Sequence, residues 1–247
     1  MTPSPYDRRF YDLLTATADP SAAVVVPKLL ALAPVASVVD VGCGTGGWIA
    51  AFLAAGVADT LGVDGPWVAE DQLRIPPAHF RRADLSQPLH FDRRFDLALA
   101  LEVAEHLPPD RAEGFVADLL AAAPLVLFSA AVPGQGGEGH VNEQWPDWWA
   151  DRFARLGARC LDPFRHALWR DDRVAWWYRQ NMLLFATDEA LARWPALAAQ
   201  PVAREPLALI HPELWALLRR RAEPGFGRWL KGFGPALRRS LGLPRGR

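Results

Sequence analysis

Cysteine is nearly absent from this chain. Only Cys43 and Cys160 occur among 247 residues, so no disulfide framework is available. The two cysteines and six histidines show neither C-x-x-C nor H-E-x-x-H spacing, and no metal ion is expected from sequence. Lysine is as scarce, present at Lys28 and Lys231 alone, and arginine carries almost all the positive charge. No apolar run reaches the roughly 18 residues that span a bilayer. The stretch "MTPSPYDRRFYDLL" lacks the charged-then-apolar order of a signal peptide, which makes the cytoplasm the expected compartment. The net charge of −1 is small but uneven. Residues 219–247 hold nine basic residues and one acidic, a local charge of +8 that leaves −9 on the rest. An acidic body argues against nucleic acid as a partner.

The composition is that of a globular chain, 51% apolar and 22% charged. Helix is expected over 5–33, with Pro20 and Ser21 dividing it into two pieces. Apolar runs at 35–41, 58–65, 79–85, 95–102, 125–132 and 179–187 read as strands. Helical patterns at about 47–56, 107–124 and 145–157 lie between them. Such alternation predicts a doubly wound, mostly parallel α/β sheet. The expected division is an N-terminal helical segment (1–34), a sheet domain (35–188) and a helical extension with a basic tail (189–247).

The stretch "VVDVGCGTGGW" (38–48) runs from a strand through a glycine turn into a helix. Gly42, Gly44 and Gly47 satisfy G-x-G-x-x-G, which is compatible with a dinucleotide. Three acidic residues bear on that choice. Asp40 ends the first strand, where a carboxylate suits a ligand with an ammonium group and repels a pyrophosphate. Asp64 ends the second and can accept hydrogen bonds from a ribose diol. Asp84 ends the third and can accept from an adenine amino group. Each also has an ordinary role as a cap or turn former. Cys43 reads as a small buried spacer.

"VVDVGCGTG", "GVDG", "RADL" and "FDLALALEVAEHL", in that order, resemble the class I S-adenosylmethionine-dependent methyltransferases, especially the small-molecule group that includes the ubiquinone and menaquinone biosynthesis enzymes. The resemblance covers about residues 35–130. It implies a Rossmann-like methyltransferase fold of seven strands with the last antiparallel, and S-adenosylmethionine as cofactor. It also implies cofactor contacts at Asp40, Gly42, Cys43, Gly44 and Gly46, then at Asp64, then at Asp84 with Leu85. Glu102 and His106 match the segment lining the methyl-transfer side.

Transfer to a hydroxyl needs a base within hydrogen-bond reach of the acceptor. The candidates are His140, His106 and Glu143, with Glu102 behind them. His106 has an alternative reading as a structural histidine. "GHVNEQWPDWW" adds Asn142, Gln144 and several tryptophans. Trp145, Trp149, Phe153 and Leu156 share helical spacing, so Trp149 and Phe153 are expected in the core. This stretch weakly resembles bacterial methyltransferases of sugar and surface-polysaccharide synthesis, which implies a small-molecule or glycan acceptor. "FGRWLKGFGPALRRSLGL" (226–243) is a broken basic amphipathic pattern. It reads either as a solvated tail or as a contact for the inner face of a membrane. Two other functions stay open from sequence: an NAD-dependent oxidoreductase and a non-catalytic cofactor-binding partner.

Overall fold

Val38, Val39 and Val41 are all fully buried because β1 (Ser37–Val41) has helices on both of its faces. The computed structural model describes residues 8–203 and 206–222. After α1 (Arg8–Leu32), β1 and α2 (Gly47–Ala54) come β2 (Asp59–Asp64), β3 (Phe80–Arg82) and β4 (Leu97–Leu101). Then follow α3 (Ala112–Ala122), β5 (Leu125–Ser129), α4 (Pro146–Arg155) and β6 (Ala158–Leu161). The order continues through α5 (Arg165–Leu168), α6 (Trp176–Asn181), β7 (Leu183–Thr187), α7 (Asp188–Arg193) and α8 (Pro195–Ala198). These elements belong to a compact unit ending at His211. The other unit is described over α9 (Pro212–Ala222), which carries Arg219, Arg220 and Arg221 in its last turn.

The seven strands lie in the order β3-β2-β1-β4-β5-β7-β6. β2, β1, β4 and β5 are parallel, and β7 runs antiparallel between β5 and β6. Side chains alternate between the faces. Val38, Leu97, Leu99 and Leu127 join Val25 and Leu29 of α1 and Ile49 and Phe52 of α2. Val39, Ala98, Ala100 and Phe128 join Phe115 and Leu119 of α3 and Trp149 and Phe153 of α4. Two covered faces favour apolar residues throughout, so these strands are nearly continuous apolar runs, with Asp40 in β1 and Ser129 in β5 as buried polar exceptions.

Four expectations change. Pro20 does not divide the first helix, which contains both Pro20 and Pro27. A proline removes one intrahelical bond, but the Ser21 hydroxyl donates to the Thr17 carbonyl at 2.6 Å and accepts the Ala175 amide at 2.9 Å. The first bond is local to the helix and the second is tertiary, and together they hold the turn. β6 was not legible in sequence, being four residues long with Arg159 exposed. Residues 179–181 are the end of α6, so the last strand starts at Leu183. The core also runs beyond residue 188, because Ala190, Trp194 and Leu197 pack into the α1–α2 side. The tail at 226–243 lies outside the described residues. Among those described, no helix is long and apolar enough to cross a membrane.

Phe153 stacks on Phe185 at 3.8 Å between ring centroids and joins α4 to β7. Phe153→Ala should cost about 3–5 kcal/mol, the usual range for emptying such a site. Denaturant unfolding measures this, and a loss below about 1 kcal/mol would show that the stack is not structural.

Candidate functional site

Strand order reverses at β1, whose neighbours β2 and β4 lie on either side. The crevice beyond the carboxyl ends of β1 and β4 is therefore the expected ligand site. The glycine turn occupies it. Gly42, Gly44 and Gly46 have φ of 84°, 54° and 90°, a region that disfavours side chains. A Cβ on Gly42 would also lie 2.3 Å from a Val103 methyl. The glycine thus lets the turn after β1 meet the segment after β4. Cys43 is buried against Gly62 and burial raises its thiol pKa, in keeping with a spacer.

Asp64 shapes this turn. One carboxylate oxygen accepts the Gly44 amide at 2.7 Å, and the other accepts the Gly65 amide at 2.6 Å and the Trp67 indole N–H at 3.0 Å. Burial raises its pKa, against the lowering effect of these bonds. Asp40 is 2% exposed, and among the described residues its Oδ2 has no hydrogen-bond partner. Burial, and then repulsion from Asp64, push its carboxyl from 3.8 up to about 8. Two buried carboxylates with one orphaned oxygen call for a cation. An ammonium group would meet that need, while a pyrophosphate would add negative charge. Asp84 is exposed and its Oδ1 accepts the Ser86 amide at 2.9 Å and hydroxyl at 2.7 Å, a turn-forming arrangement. Leu85 beside it is buried.

Glu102 follows β4 with φ of 55°, the only positive value among the described non-glycine residues. Its carboxylate accepts Gln135 Nε2 at 2.8 Å and Asn181 Nδ2 at 3.2 Å. Asn181 also donates to Gln135 Oε1 at 3.0 Å. Burial raises the Glu102 pKa, and these bonds oppose the rise. Gln135 and Asn181 were missed from sequence. Their one signal was a pair of polar residues, Gln180 and Asn181, directly before an apolar strand.

The loop after β5 brings His140 to His106, with ring centroids 4.8 Å apart in an edge-to-face arrangement. His140 Nδ1 lies 2.8 Å from Glu143 Oε1. Glu143 in turn accepts the Gly134 amide at 2.8 Å and the Gly136 amide at 2.6 Å. Burial pushes the Glu143 carboxyl up, but His140 and these amides outweigh it and hold it below the usual range. Burial, then the neighbouring His140, lower the His106 pKa to about 4, so its imidazole is neutral at pH 7. Glu105 lies near both and is 0% exposed. Among the described residues no side chain pairs with its carboxyl oxygens. Burial and then the nearby Glu102 raise its pKa well above the usual range, against the lowering effect of the backbone amides of Glu105 and Ala131. Its carbonyl accepts the Val141 amide at 2.8 Å and the Asn142 amide at 3.0 Å, pinning the His140 loop to the turn that carries His106. Glu105, His106 and His140 each offer a ligand atom within 4.8 Å of the others. The sequence showed no metal motif because His140 is remote along the chain from Glu105 and His106.

A protein-family model described as a methyltransferase domain matches residues 15–179. The chain belongs to that family. It is a class I S-adenosylmethionine-dependent methyltransferase, and the oxidoreductase alternative falls. No curated protein matches its sequence. The fold is similar to that of DesVI from Streptomyces venezuelae, with a TM-score of 0.53 and 15% identity over 72% of this chain and 96% of that one. It is similar to an O-methyltransferase family protein from Burkholderia thailandensis, with a TM-score of 0.52 and 16% identity over 74% and 60%. It also resembles CalS10, an amino pentose methyltransferase from Micromonospora echinaspora, with a TM-score of 0.51 and 14% identity over 73% and 97%.

The raised pKa of Asp40 links the methyltransferase's stability to pH. From about pH 4 to pH 8 the unfolded chain has lost the Asp40 proton while the folded chain keeps it, so folded stability falls as pH rises. A cationic ligand favours the ionised form, so affinity should climb over the same window. Asp40→Asn should melt higher than the native protein at pH 8 and bind S-adenosylhomocysteine, which keeps the ammonium group, at least about tenfold more weakly. Calorimetry across pH checks this, and an unaltered pH profile in the variant would refute it.

Proposed function

We propose that this methyltransferase acts on a hydroxyl group of a small molecule or glycan. The observation that carries the reading is the His140 ring, fixed by Glu143 and set against His106 after β4 and β5. A hydroxyl is a weak nucleophile until its proton leaves, and a neutral, oriented imidazole is the side chain suited to that task near pH 7. Bound S-adenosylmethionine supplies a methyl group on a sulfonium sulfur, which departs as a neutral thioether once that methyl is attacked.

The chain's own residues divide the remaining work. Asp40 offers its unpartnered carboxylate to the cofactor's ammonium group, and the turn at Gly42, Cys43, Gly44 and Gly46 packs beside it. Asp64 receives the ribose, for which Trp67 must yield its bond to the same carboxylate. Asp84 and Leu85 flank the adenine. Glu102 is held in place by Gln135 and Asn181 and faces the methyl-transfer side. Half-buried His140 and His106 meet the acceptor, and Trp145, 41% exposed in the same loop region, offers a flat face for a sugar or aromatic ring. A sugar class is supported by that aromatic face and by the fold shared with an amino pentose methyltransferase.

His140→Ala should reduce turnover on a hydroxyl acceptor by about 10²–10⁴-fold, the usual contribution of a positioned base. Its affinity for S-adenosylhomocysteine should stay within about twofold, because the ring lies outside the cofactor turn. A screen of sugars and phenols supplies the acceptor. Retained turnover in the variant would remove the ring from the chemistry, and transfer to amines alone would overturn the hydroxyl reading.

A further inference from the structure

We propose that Glu105, His106 and His140 form a binding site for a first-row divalent cation at the acceptor end of the crevice. The argument begins with Glu105. Its side chain is fully buried, and among the described residues no side chain pairs with either carboxyl oxygen; the backbone amides of Glu105 and Ala131 are the polar groups near it. A buried carboxylate with no cation beside it is strongly unfavourable. Protonation relieves that cost, and so does a cation bound between it and its two histidine neighbours.

The geometry favours the cation. One ligand atom from each of the three residues lies within 4.8 Å of the others. Metal–ligand bonds of about 2.0–2.2 Å put neighbouring ligand atoms about 3.3–3.6 Å apart in a tetrahedral shell. The widest pair therefore closes by about an ångström on binding, which side-chain rotation supplies. It is also held in position. His140 Nδ1 is taken by Glu143, which leaves Nε2 as the ligand atom. A carboxylate behind the far nitrogen is the usual way in which a metal-binding histidine is oriented. Glu143 is itself fixed by two backbone amides. The His140 loop is tied to the turn of the other two ligands through the Glu105 carbonyl.

Donor chemistry sets the class of ion. Two imidazoles and one carboxylate suit Mn²⁺, Co²⁺ or Zn²⁺, whereas Ca²⁺ prefers an all-oxygen shell. Three protein ligands leave coordination positions open. The role assigned to the cation rests on the hydroxyl reading above: an acceptor hydroxyl occupying an open position would become more acidic and would pass its proton to solvent water, so that with the cation bound the His140 ring serves as a ligand and its loss still removes turnover. The existence of the site does not depend on that reading.

The test uses the full-length chain, stripped with a chelator and titrated with Mn²⁺ while the signal of the free ion is followed by electron paramagnetic resonance. Co²⁺ and Zn²⁺ are followed by thermal shift. The expected result is one ion per chain and a rise in melting temperature. Glu105→Gln should weaken binding at least about 100-fold, and Glu143→Gln about 10–100-fold, as for removal of an orienting partner. Both variants should keep their affinity for S-adenosylhomocysteine, which shows that they are folded. Without metal, Glu105→Gln should melt no lower than the native chain, since a neutral amide replaces a buried acid. Failure of all three ions to bind at about 1 mM, or native affinity in Glu105→Gln, overturns the site. Full transfer to a hydroxyl by the chelated enzyme overturns the role of the cation and leaves O-methylation standing. Stoichiometric metal binding without transfer to any hydroxyl overturns the hydroxyl reading and leaves the site.

Discussion

The bond from the Gly44 amide to the Asp64 carboxylate, at 2.7 Å, sets the shape of the ligand crevice. It crosses from the turn after β1 to the end of β2, and the Gly42 amide reinforces it by donating to the Val63 carbonyl at 2.7 Å. Both bonds need the parallel pairing of β1 with β2, which brings Val41 level with Val63. The turn can follow this path only with glycines at positive φ. The same closeness puts Asp40 and Asp64 together in a dry place. The fold keeps two acidic side chains there, and their desolvation and mutual repulsion are what a cationic ligand would relieve.

A second set of constraints organises the acceptor side. The loop after β5 is rich in glycine, yet it is pinned through the Glu105 carbonyl, the Glu143 carboxylate and Gln135. Glycine there gives the loop its path rather than freedom of motion. Glu102 sits where β4 ends, in a left-handed conformation, and its carboxylate gathers Gln135 and Asn181 from two other segments. A residue in that conformation costs on the order of 1–3 kcal/mol unless its surroundings hold it. Here two segments do so, the loop after β5 and the end of α6.

Much of this was legible in the residues. The apolar runs of β1, β4 and β5 announce strands covered on both faces, and "VVDVGCGTGG" announces the turn between β1 and α2. Asp40 and Asp64 fall on the strand ends because a parallel sheet ends each strand at the same edge. Other features left no local trace. Pro20 reads as a helix breaker, and only the contact of Ser21 with Ala175, from a distant part of the chain, reverses that. β6 is too short to carry a pattern, and becomes a strand by pairing with β7. Glu105 looks like one more acidic residue at a loop start until its burial is seen.

The sequence by itself determined the alternation of the apolar strands with helices, the glycine turn and the acidic residues at its rim. These depend on side-chain periodicity and backbone preference, which act over a few residues. Tertiary structure alone decided the charge state of Asp40, the neutrality of His106 and the meeting of Glu105, His106 and His140. Those properties depend on desolvation and on distances between segments far apart in the chain, and neither is written in any short stretch of residues.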